Sequence, residues 1–178
     1  ATQAPSAPAA LPRSSSEEQV FEAWTPAVEW VSRQTGMAPG SLMGLILAEN
    51  GGRDMGAVQS RDNNPFSIKW RPNADPPERK GTPATDGGNF YHFNSTSEAL
   101  GRFVGMVAHP ENTYNTRGPA AQGSRSARAW ANRRNAARFA QELANGGYTG
   151  GPHEEREWVP RFSAGAQRYE AWRSRRGR

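Results

Sequence analysis

What most restricts this chain is a short oily segment that ends on an acid. Leu42-Met43-Gly44-Leu45-Ile46-Leu47-Ala48 is its longest apolar stretch, and Glu49 follows directly. The stretch falls far short of the roughly 18 residues that read as a membrane span, so it predicts a helix at the heart of a core. Pro39 suits the first turn of that helix, and Gly51-Gly52 stops it. Leu42, Leu45, Ile46 and Glu49 are spaced three, four and seven apart, which places all four on one helical face. A carboxylate on that face is disfavoured twice. Burial strips its water, and the negative end of the helix dipole repels its charge. Such a carboxyl stays protonated nearer neutral pH, as a general acid must. The ordinary alternative is a boundary glutamate turned to solvent or paired with an arginine. Asn50-Gly51-Gly52 beside it opens the backbone, leaving room for an extended polymer to approach.

The chain has 178 residues, enough for one domain with a real core plus tails. Residues 1–16, mostly Ala, Pro, Ser and Thr, read as a flexible tether, because such a composition buries too little apolar area to offset its ordering entropy. Residues 17–172 read as the folded domain and 173–178 as a basic tail. Capping-box spacing from Ser14 or Ser15 to Glu17 or Glu18 predicts a first helix carrying Val20, Phe21 and Trp24, and Thr25-Pro26 predicts a second that ends at Gly36. The stretch 53–93 is rich in Asn, Asp, Pro and Gly. It predicts a loop-rich β-lobe whose small antiparallel sheet uses Phe66–Trp70 and Asn89–Phe93. A capping box at Ser95 and Glu98 opens another helix, closed by His109-Pro110. Further helices are expected over Ser126–Asn145 and Trp158–Trp172.

With no cysteine, disulfide scaffolds, thiol catalysis and iron–sulfur sites are excluded. His92, His109 and His153 stand apart without ligand spacing, so no metal and no cofactor is expected. No G-x-S-x-G elbow, P-loop or G-x-G-x-x-G run is present, which removes the commonest esterase, NTPase and dinucleotide readings. A formal net charge of +5 favours polyanionic partners, although arginine-heavy usage also follows from genome composition.

Four segments, in order, resemble glycoside hydrolase family 73, the β-N-acetylglucosaminidases that cut bacterial peptidoglycan. They are the run from Gly36 to Glu49, the run Asn63-Asn64-Pro65-Phe66-Ser67-Ile68-Lys69, the strand-to-helix junction from Phe90 to Leu100, and Gly147-Tyr148-Thr149 followed by Trp158. The likeness spans roughly Thr25 to Tyr169. The sequence departs from the family pattern where Asn50-Gly51-Gly52 replaces Ser-Gly-Trp, Pro65 replaces Leu, Ser67 replaces Gly, and Thr149-Gly150-Gly151-Pro152 follows Tyr148. The resemblance implies a lysozyme-like α+β fold, in which a mainly helical lobe and a small antiparallel β-lobe flank a substrate cleft.

Glycosidic cleavage needs a proton for the leaving oxygen and a negative charge or nucleophile at the oxocarbenium-like centre. Glu49 is the expected acid. The second group is expected from the β-lobe, with Asp86 first, Glu78 second and Asp75 also a candidate. A substrate-assisted route, in which the sugar's own N-acetyl group attacks, needs no second carboxylate. By resemblance, Tyr148 orients the reacting sugar. Asn64, Phe66, Trp70, His92 and Trp158 are candidate sugar contacts, each with a structural alternative: turn chemistry for Asn64 (and its neighbour Asn63), core packing for Phe66 and Trp70, a structural role for His92.

Other readings differ in class. A muramidase or lytic transglycosylase of the same fold would yield different product ends. A non-catalytic basic module binding nucleic acid or wall polymer would rest on Arg125, Arg128, Arg133, Arg134 and Arg138 with the basic tail. The expected partners are peptidoglycan strands and other anionic wall polymers. The expected setting is outside the cytoplasm at the cell wall, either secreted, periplasmic or virion-associated, with the tether suited to a larger phage, flagellar or secretory assembly.

Overall fold

The oily segment forms the central helix. The computed structural model describes residues 3–5, 11–49, 51–53, 61–74, 77–108, 123–149 and 152–177, the side chains of 123–126 and 152–154 excepted. Its helices are α1 (Glu17–Thr35), α2 (Pro39–Glu49), α3 (Thr96–Val107), α4 (Gly123–Ala131), α5 (Ala136–Asn145) and α6 (Pro152–Arg176), with strands β1 (Lys80–Pro83) and β2 (Asn89–Tyr91) between α2 and α3. Every residue of α2 from Gly40 to Ala48 is buried. A helix that is apolar all round has no solvent face and must be enclosed, and α6, α1 and α5 enclose this one. The expected single buried stripe is therefore a fully buried rod, and Glu49 is where that rod emerges into solvent.

Contact between α2 and α6 is close because small residues line it. A Cβ on Gly44 would stand 2.7 Å from the Phe162 ring, and one on Gly165 would stand 2.8 Å from Leu47. The buried face of α6 follows helical spacing through Trp158, Phe162, Ala166, Tyr169 and Trp172.

The helix boundaries differ from expectation in several places. α1 is continuous through Pro26, which lies inside it. Proline removes the bond to the Glu22 carbonyl, while the Thr25 hydroxyl beside it donates to the preceding Phe21 carbonyl at 2.5 Å and meets the Tyr169 hydroxyl at 2.9 Å. The capping box is Ser16 with Gln19, not Ser14 or Ser15 with a glutamate. The expected helix over Ser126–Asn145 is two, because the Asn135 side chain accepts from the Arg138 N–H and starts α5 afresh. The stretch 173–176, read from sequence as basic tail, continues α6, where its arginines meet glutamates of α1. His109, Pro110 and Asp75 lie outside the described residues, as does Asn50.

Among the described residues the β-lobe holds one two-stranded antiparallel sheet, with Lys80 opposite Tyr91 and Pro83 opposite Asn89. Asn89–Tyr91 matches expectation. Its strand partner is the unforeseen Lys80–Pro83, while the Phe66–Trp70 run supplies only a bridge, Lys69 to Phe90, on the other edge of β2. Ser95 caps α3 and accepts from the Glu98 N–H, as expected.

Candidate active site

Glu49 is exposed, as the last residue of α2. Among the described residues, two aromatic side chains face its carboxyl. The Tyr148 hydroxyl donates to Oε1, and the Trp158 indole N–H is directed at the same group without closing a hydrogen bond of full geometry. The carboxyl is thus reachable by water yet hemmed in by protein. Its pKa is raised because the surrounding protein desolvates the anion, and the two donors, which favour the anion, only partly oppose this.

Local structure accounts for this placement. Gly51 and Gly52 have φ of +69° and +67°, turning the chain off the end of α2 in the left-handed region. Gly52 is buried, its carbonyl accepts from the Trp24 indole at 3.0 Å, and a Cβ there would meet Val20 at 2.6 Å. Gly52 thus serves a tight turn against the core, while Gly51 is half-buried. Tyr148 follows α5 in a turn whose Gly147 has φ +91°, and its amide donates to the Leu143 carbonyl at 3.1 Å. The Tyr148 ring meets Trp158 at 5.2 Å and the edge of Phe103 at 6.3 Å. Phe103 in turn stacks on Phe66 at 4.4 Å, so one aromatic row joins the β-lobe to the acid's partners.

The other candidates are placed differently. Glu78 is almost wholly buried at the side chain and held by Arg71 (2.7 and 3.0 Å) and by Arg102 of α3 (3.0 Å), tying the β-lobe to the helical lobe. Asp86 is exposed in the turn between β1 and β2 and pairs with Lys69, which holds its carboxyl below the usual range. Asn64 spends its amide on the β-lobe backbone, donating to the Ile68 and Tyr91 carbonyls and accepting from the Ile68 N–H. Phe66 and Trp70 are half-buried, the latter with its indole N–H on the Glu78 carbonyl at 3.0 Å and Lys80 over its ring. His92 places Nδ1 3.1 Å from Asp62. The structure therefore brings Glu49, Tyr148 and Trp158 together.

Asp62 was not foreseen. Buried at 2% exposure, it accepts from the Thr82 N–H at 2.8 Å, while its own carbonyl accepts from the Phe93 N–H at 2.9 Å. Burial pushes its pKa up, but Thr82 and His92 outweigh that and hold it below the ordinary value. β1 passes so near that a Cβ on Gly81 would lie 2.7 Å from the carboxylate. These partners stand twenty to thirty residues away, beyond any local sequence signal. Among the described residues no three His, Asp or Glu side chains gather as metal ligands would. Two surface hollows, of about 480 and 630 Å³, lie away from Glu49: one beside Glu29, Glu170 and Arg173, the other beside Leu11 and Gln19.

The fold these elements make is lysozyme-like α+β, mainly helical with a small antiparallel sheet. The chain shares it with the glycoside hydrolase domain of Salmonella typhimurium FlgJ, at a TM-score of 0.62 and 19% identity over 92% of this chain and 94% of that one. A C-terminally truncated structure of that FlgJ domain gives a TM-score of 0.56 at 20% identity, covering 88% and 99% of the two chains. No protein-family model matches the sequence, and no curated protein does.

Proposed function

We infer that this chain is a peptidoglycan hydrolase of the glycoside hydrolase family 73 type, cleaving the β-1,4 bond after N-acetylglucosamine with Glu49 as general acid. One observation carries the reading: a carboxyl of raised pKa at the exposed end of the central helix, with its Oε1 held by Tyr148. The shared fold with a glycoside hydrolase domain supports it. Tyr148 donates to Oε1, which leaves Oε2 to carry the proton given to the leaving oxygen. Of the candidate second groups, Glu78 is fixed between two guanidinium groups and Asp86 stands on an exposed turn. Both spend oxygens on ion pairs, an arrangement that favours attack by the substrate's own N-acetyl group. Peptidoglycan as substrate places the protein outside the cytoplasm at the wall, and no helix among the described residues is long and apolar enough to cross a membrane.

Mass spectrometry of digested peptidoglycan tests the bond cut. Products ending in reducing N-acetylglucosamine are expected. Reducing muramic ends would make it a muramidase, 1,6-anhydro ends a lytic transglycosylase, and intact glycan would leave a binding module.

A further inference from the structure

We propose that Trp158 is a positioning residue for Glu49, its indole N–H forming the second donor that holds the carboxylate once the proton has left, while its ring fixes the Tyr148 phenol. This rests on the reading of Glu49 as general acid. Trp158 was expected to touch sugar, but only 8% of it is exposed, with its ring 5.2 Å from that of Phe162 and 5.2 Å from that of Tyr148. Its Nε1 is buried and lacks a full hydrogen bond, which is costly for an indole unless a partner arrives at some stage of the cycle. Among the described residues, the groups facing Glu49 are the Tyr148 phenol, from the turn after α5, and this indole, from α6.

In the acid step Glu49 gives its proton to the glycosidic oxygen, the bond from the anomeric carbon breaks, and the oxygen keeps the electron pair. The carboxyl is now an anion, and the indole N–H gains the charged acceptor it lacked. The water that completes hydrolysis returns a proton to Glu49, and the donor is released again. The residue thus strengthens its contact as charge develops, which is the condition for a rate effect.

Nuclear magnetic resonance on the wild-type protein tests this without turnover. The Trp158 indole N–H resonance, assigned through its contacts with Phe162 and Tyr148, should move with pH at the midpoint of the Glu49 carboxyl and stay still in Glu49→Gln. In Trp158→Phe the Glu49 midpoint should rise, and kcat on soluble glycan fragments should fall about tenfold with KM little changed. An indole signal indifferent to Glu49, or a Glu49 midpoint unmoved in Trp158→Phe, overturns the proposal. The first arm stands even if Trp158→Phe does not fold. A wild-type protein that leaves peptidoglycan intact would instead sink the enzymatic reading.

Discussion

At the scale of single residues, a carboxyl whose anion is disfavoured by the fold works against stability once it ionises. Glu49 has its pKa raised above the ordinary carboxylate value of 4.5, chiefly by desolvation. The folded state therefore binds the proton more tightly than the unfolded chain, and the stability this gives is lost as pH rises through the folded pKa. Glu49→Gln should accordingly melt higher than wild type at pH 7, with the gap closing below about pH 4.5, as calorimetry across pH would record. Asp62 is the reverse case, because its pKa lies below 3.8 in the fold. Its contribution is present above that value and lost as pH falls through the folded pKa. Asp62→Asn should cost roughly 1–3 kcal/mol at pH 7 in urea titrations, with the difference shrinking in strong acid. Glu49 was legible because a helix end and its acid sit within ten residues of sequence. Asp62 was not, since nothing near Arg61-Asp62-Asn63 announces Thr82 or His92 as partners.

Elements follow the same division between local and distant causes. α2 and the Ser95 cap of α3 stand where apolar run, proline, glycine and capping spacing put them. β1 has no apolar alternation to reveal it, and it exists because Tyr91, Asp62 and the Asn89 side chain hold its backbone. Continuity through Pro26 also depends on contacts outside the local sequence, with α1 packed on α2 and α3. The α2–α6 contact offers a direct probe. Gly44→Ala should destabilise by about 1–3 kcal/mol in denaturant titrations, because the new methyl meets Phe162 ring carbons and a backbone oxygen at 2.9 Å that has no room to retreat.

Across the whole molecule, much of the basic charge is already matched. Arg168, Arg173, Arg175 and Arg176 of α6 face Glu17, Glu29, Glu18 and Glu22 of α1. These pairs are largely solvent-exposed, and each contributes about 0–1 kcal/mol, screened by salt. Arg133, counted from sequence with the basic surface, donates to the Thr35 carbonyl at 2.8 Å and so caps α1. Arg128, Arg134 and Arg138 remain exposed on and between α4 and α5. Replacing these three with Gln should slow lysis of intact walls several-fold, with hydrolysis of short soluble glycans unchanged, when turbidity and reducing-end assays are run in parallel. Equal slowing of both would assign them to the fold instead.

The central claim is that Glu49 supplies the proton for glycosidic cleavage. Its most direct test is the release of reducing ends from purified peptidoglycan by wild type and by Glu49→Gln, with both shown folded by calorimetry. A loss of at least about a thousandfold is predicted for the variant, as expected for removal of the proton donor. Turnover retained within about tenfold would contradict it and return Glu49 to the role of a boundary side chain.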